Sequence, residues 1–187
     1  MNHEHLCSAL KHIAWGYILI HLNINLGTID ILPDFAGYLL LLGALPILGQ
    51  IEPSALLLKP FGIGLVLWHF VSWVAAILGI TTFGYLPTLL ASIVNIYFHF
   101  QLLTNLAAIA RTYNCPQEKS ILGLRTIRTI MVTLFALPFP WNEQEMLTIL
   151  MILATLIVVF AICVTLFSLH KSFCELAPED QEHTELI

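Results

Sequence analysis

Apolar stretches of membrane-crossing length alternate with short polar or Gly/Pro-containing breaks along nearly the whole chain. The breaks fall at 27–33, 52–60, 83–84, 111–119 and 138–145, and they hold the residue types that end helices. The runs between them predict spans over 12–28, 33–51, 60–82, 85–110, 120–138 and 145–169. A bilayer-crossing helix needs about 20 apolar residues, so most of these runs suffice. The fifth is the short one, because Arg125 and Arg128 leave little apolar chain before Pro138 unless both snorkel to the inner headgroups. A re-entrant or strongly tilted segment is the alternative there. The predicted fold is all-α: a polytopic membrane bundle of six transmembrane helices, connected by short turns so that sequence neighbours are antiparallel neighbours. Residues 1–170 form a single transmembrane domain, and 171–187 read as an acidic, disordered cytoplasmic tail.

Composition strengthens this reading. Apolar residues make up 58% of the 187 and charged residues 10%, with a mean hydropathy of +0.87. A water-soluble domain is typically about 25% charged, so a soluble fold could not cover its surface. The 7 basic residues are scattered, which excludes a nucleic-acid-binding face. With both termini inside, all 7 fall on the cytoplasmic side, whereas Asp30, Asp34, Glu143 and Glu145 fall outside. No small-residue cleavage site follows the first apolar run, so no removable leader is expected. The cysteines at 7, 115, 163 and 174 show neither CxxC nor metal spacing, and free thiols without a disulfide are expected.

Polar residues inside the predicted spans carry the candidate chemistry, since an unsatisfied polar group in hydrocarbon costs several kcal/mol. Tyr17, His21, Asn25 and Thr28 follow helical spacing on the first span. His69 and Ser72 lie on a small-residue face of the third, and Thr88, Ser92, Asn95 and His99 line the fourth. Counting from Lys11, Lys59 and Arg111 puts His21, His69 and His99 all about 15 to 18 Å deep at 1.5 Å per residue. Two readings follow. Each imidazole separately glues helices together, or the three converge on a ligand, a metal ion, a haem or a proton path. His21, Asn25, His69, Ser72, Asn95 and His99 are therefore the ligand-binding candidates, and His21, His69 and His99 the metal candidates. Gly37 with Gly43, or Gly62 with Gly79, mark helix contacts within or between chains.

The segment from Asn23 through Asp30, Pro33 and Asp34 to Tyr38 is the most distinctive local pattern. Pro33 suits a helix start and Asp34 complements the positive helix end. The plain reading is a tight outer turn. The functional one makes Asn23, Asp30 and Asp34 an outward mouth for cations or polar solutes. The Ile-Asp-x-Leu-Pro-Asp-Phe-x-Gly-Tyr stretch over 29–38 resembles one found in a family of small, uncharacterised polytopic membrane proteins of Gram-positive bacteria. That resemblance implies a multi-pass protein of the bacterial cytoplasmic membrane and implies nothing about reaction or substrate. The size is also similar to that of the substrate-binding subunits of energy-coupling-factor vitamin transporters, although their AxxxA pattern is missing from the first span.

The first expectation for function is binding or transport of a small solute or ion through a polar site between helices 1, 3 and 4. The alternatives are a non-catalytic accessory that docks a membrane partner or a second copy, and a His-based metal- or haem-binding redox protein. Enzymatic chemistry is disfavoured. No HExxH, no Gly-rich phosphate loop and no nucleophile–base order is found.

Overall fold

A computed structural model describes residues 3–21, 25–26, 29–30, 33–80, 84–137 and 144–175, the four residues at 25, 26, 29 and 30 by backbone alone. Asn23, Thr28, Glu143 and the tail from 176 on lie outside the described residues. Within them are six α-helices: α1 (His3–His21), α2 (Asp34–Leu48), α3 (Lys59–Ile77), α4 (Tyr85–Thr112), α5 (Glu118–Ala136) and α6 (Glu145–Glu175). A 3-10 turn, Pro53–Leu58, leads into α3. Asn25–Leu26 pairs with Ile29–Asp30 in a two-residue antiparallel ladder between α1 and α2.

The architecture is all-helical, as the apolar periodicity predicts, but the six runs are not equal. Three segments are long and apolar enough to cross a membrane: Pro53–Ile77, Tyr85–Thr112 and Glu145–Glu175. The apolar α2 has only 15 residues, about 22 Å of helix. The first span is also displaced. It begins at His3 rather than 12 and stops at His21 rather than 28. Leu6, Ala9, Leu10, Ile13, Ala14 and Tyr17 recur at 3- and 4-residue spacing and are all buried, so the early polar residues ride on the outside of a helix whose other face is core. α6 continues to Glu175, where an exposed i,i+4 pair joins Lys171 to Glu175 at 3.7 Å. The first residues of the expected tail are thus helical.

Each helix packs on its sequence neighbour, and α6 returns to α1 and closes the ring. Consequently the start of α1 and the end of α6 meet at one end of the bundle, where His3 stacks on Phe173 with ring centroids 4.4 Å apart. Cys7 and Cys174 are disulfide-paired there, which corrects the expectation of four free thiols. Cys115 and Cys163 are the free ones among the described residues. A separation of 167 residues gives no spacing signal; only ring closure makes the pair.

The closest helix pair is α1 with α2. A Cβ added to Gly37 would stand 2.7 Å from the carbonyl oxygen of Gly16, and one added to Gly16 would stand 2.9 Å from that of Gly37. Small residues let the two backbones touch. Gly37 thus supports a helix contact within the chain, against Gly16, while Gly43 faces open space. Gly62 does sit in a contact, against Leu42 and Phe98, whereas Gly79 ends α3 at φ +75°.

Candidate functional site

The Gly16/Gly37 crossing places the next residue of each helix, Tyr17 and Tyr38, on opposite sides of His99 from α4. All three are fully buried. His99 Nδ1 lies 2.9 Å from the Tyr17 hydroxyl, and Nε2 lies 3.2 Å from the Tyr38 hydroxyl. Asn95, one turn before His99 on α4, donates its amide N–H to the Tyr38 oxygen. The Asn95 carbonyl oxygen faces Arg128 of α5 at 3.5 Å.

This arrangement has a direction at its Arg128 end. The guanidinium has only donors, so it holds the Asn95 oxygen toward itself and turns the Asn95 N–H toward Tyr38. In the His99 tautomer with an unprotonated Nε2, the Tyr38 O–H donates to that nitrogen, and the other tautomer reverses the bond. A neutral imidazole that accepts on one nitrogen donates on the other, so in the first tautomer Nδ1–H donates to the Tyr17 oxygen. The Tyr17 O–H hydrogen is then left to meet an acceptor. Such a chain is polarised along its length by the cation at its head.

The other predicted histidines border this chain. His21 donates its Nδ1–H to the Tyr17 carbonyl oxygen, 2.9 Å away, and its ring lies 6.0 Å from that of His99. His69 stacks on Tyr38 at 4.9 Å, and its Nδ1 is 3.1 Å from the Asp34 carboxylate. The structure thus brings His21, His69, Asn95, His99 and Asp34 together, around two tyrosines. Asp34 is turned to His69 and does not stand alone as a mouth group. Ser72, half-buried one turn beyond His69, stays outside the hydrogen-bonded chain. For Asn25 and Asp30 only the backbone ladder is described. Both His99 nitrogens face hydroxyls, so a metal ion or haem iron at His99 would have to displace a tyrosine.

Two contributors are not legible in the sequence as site residues. Tyr38 lies in an apolar helix with no polar stripe to mark it. Arg128, expected to snorkel to the inner surface, is instead 5% exposed and turned into the bundle. Its neighbour Arg125 donates to Thr104 Oγ1 at 2.9 Å and lies over the Phe100 ring. The Nε atoms of both arginines are buried without a hydrogen-bond partner. Among the described residues the ion pairs are His69–Asp34 and Lys171–Glu175, so Arg128 is a buried cation with no carboxylate. Its charge acts on Tyr17, His21, Tyr38 and His99 alike.

Beside this network, α1 and α6 leave a groove of about 630 Å³ lined by Ile18, His21, Phe160, Cys163, Val164 and Phe167, among others. Its wall is almost wholly apolar, and His21 is its link to the chain. α1 and α2 also end near this level, while α3 runs on from His69 to Ile77 and α4 from His99 back to Tyr85.

Replacing His99 with leucine is expected to orphan both tyrosine hydroxyls, at a cost of about 1–3 kcal/mol for each buried group left unpaired. His99→Gln, which keeps a donor and an acceptor, should lose less. Thermal unfolding in detergent checks the order, and equal losses for the two variants would show that the hydrogen bonds contribute little.

No family model, curated protein or solved structure matches the chain.

Proposed function

We propose that the chain is a multi-pass protein of the bacterial cytoplasmic membrane, threaded six times with both termini inside, that binds and transports a small organic anion at the Tyr17–His99–Tyr38–Asn95–Arg128 network. The observation that carries this reading is Arg128. Arg128 has no carboxylate partner among the described residues; a buried charge left so costs several kcal/mol, and an anionic ligand would compensate it. One His99 tautomer agrees with this reading, because it leaves the Tyr17 hydroxyl able to donate. The groove beside His21 lies in the 300–1,000 Å³ range of small-molecule sites, and its apolar wall suits the body of an amphipathic acid.

Transporters place their solute sites near the bilayer midplane, the depth expected for His21, His69 and His99. Of the six binding candidates that the sequence pattern raises, Asn95 and His99 belong to this network and His21 and His69 border it.

The test is thermal stabilisation of the purified protein in a neutral detergent by a medium-chain carboxylate, against the alcohol and the primary amine of equal chain length. The carboxylate alone should raise the unfolding temperature, and Asn95→Ala, which loosens the Arg128 contact, should reduce the response. Equal shifts from all three compounds would mean that only the apolar groove is being filled. That result would defeat the anion reading.

A further inference from the structure

The junction of the two terminal helices holds a second constellation, about which the transport reading says nothing. On α1, His3 precedes Cys7 by one turn; on α6, His170 precedes Cys174 by one turn. His-x3-Cys thus occurs twice, and the i,i+4 spacing puts both members of each pair on one helix face. Ring closure lays the two faces together. The Cys7 sulfur, the Cys174 sulfur and a His170 ring nitrogen all lie within 4.8 Å of one another. The Cys7 Sγ to His170 Nε2 distance is 3.6 Å.

That distance is informative. With Zn–S near 2.3 Å and Zn–N near 2.0 Å, the sulfur–nitrogen edge of a tetrahedral site is about 3.6 Å. The Cα atoms of the cysteines are 5.8 Å apart, close enough for a disulfide and also for two thiolates on one ion after the sulfurs separate. His3, one turn before Cys7, has its Nε2 buried and lacking a hydrogen-bond partner. Its ring is held against Phe173, the residue before Cys174.

We propose that Cys7, Cys174 and His170, with His3 as the fourth donor, form a binding site for a thiophilic divalent cation such as zinc, which clamps the ends of the transmembrane ring together. The disulfide is the oxidised form of the same site. Two equivalents of a low-molecular-weight thiol reduce it: the S–S bond takes two electrons and two protons, and the thiol leaves as its own disulfide. Metal binding then releases the two thiol protons, and the neutral His170 imidazole offers the lone pair of one ring nitrogen to the metal. The preference for the metal form rests on both termini being cytoplasmic, where thiols stay reduced.

Three measurements test the proposal. Full-length protein purified in detergent with a phosphine reductant should take up one equivalent of Co(II), with a thiolate-to-cobalt charge-transfer band, and Zn(II) should displace it. Cys174→Ser and His170→Ala should each lose the stoichiometric uptake, while Cys115→Ser should keep it. Mass spectrometry of cells quenched with an alkylating reagent should find Cys7 and Cys174 as modified thiols. Absence of the band from the reduced wild type would overturn the site even if a variant failed to fold. A Cys7–Cys174 disulfide in the quenched cells would overturn the metal form and point to termini outside the cytosol. Neither result bears on carboxylate binding at Arg128, whereas the disulfide outcome would also overturn the threading with both termini inside, on which the metal form rests.

Discussion

Arg128→Met is expected to raise the unfolding temperature of the ligand-free protein and, in the same molecule, to abolish its stabilisation by a carboxylate. These opposite effects follow from one fact. Arg128 is 5% exposed, its Nε has no partner, and the contact of its NH2 group with Asn95 is 3.5 Å, at the long limit for a hydrogen bond. A charge so placed has lost its water and regained little. Substituting buried ionic groups by apolar side chains of similar volume is often stabilising by about 1–4 kcal/mol, and methionine adapts to irregular space. Binding, by contrast, depends on the charge. Arg128→Lys keeps the charge but not the planar fork, and it should retain only part of the carboxylate response. Scanning fluorimetry of wild type, Arg128→Met and Arg128→Lys, each with and without ligand, reads both effects. If Arg128→Met instead lowers the ligand-free unfolding temperature while leaving the carboxylate shift intact, the guanidinium is a structural group and the anion site lies elsewhere.

The ease of reading this fold from sequence tracks the kind of force that makes each part. Helix breaks at Pro60, Gly84 and Pro116 are local chemistry, and α3, α4 and α5 begin or end within a few residues of where those punctuators predict. The polar residues His69, Asn95 and His99 stand out in the sequence because a lone imidazole or amide in an apolar run must find its partners inside the bundle. The start of α1 escapes an apolar-run criterion because its first turns are polar on one side, and only the faces of α2 and α6 reveal that the other side is buried. Arg128 illustrates a limit of depth arguments. A guanidinium midway along a 19-residue helix can snorkel outward or turn inward, and the choice depends on whether Asn95 of another helix offers an acceptor. Tyr38 closes the distinctive 29–38 stretch but nothing there marks its role, for a tyrosine in an apolar helix becomes a site residue only through what stands opposite it. The Cys7–Cys174 and His170 cluster belongs to the same class, since the closure of six helices into a ring is not encoded in any local spacing.

The second large effect is expected at Gly37, where adding one methyl group should damage both stability and the site. A Cβ there would come 2.7 Å from the Gly16 carbonyl oxygen and 2.6 Å from a side-chain carbon of Ile20. The first of these is backbone, which cannot rotate away, so α1 and α2 must move apart. Overpacking of this kind costs about 1–3 kcal/mol. The consequence reaches the network because Tyr17 follows Gly16 and Tyr38 follows Gly37, so the helix separation sets the span across which His99 bonds to both hydroxyls. Gly37→Ala should therefore lower the unfolding temperature and also weaken the carboxylate response. Gly43→Ala supplies the control. Its Cβ would meet nothing within 4 Å, and alanine is favoured over glycine in a helix by about 0.5–1 kcal/mol, so that variant should be neutral or slightly stabilised with its response unchanged. Gly16→Ala should reproduce the Gly37→Ala defect, and the double variant should lose less than the sum, because helices already parted do not collide again. Indistinguishable behaviour of Gly37→Ala and Gly43→Ala would mean that the close crossing does not hold the two tyrosines in place.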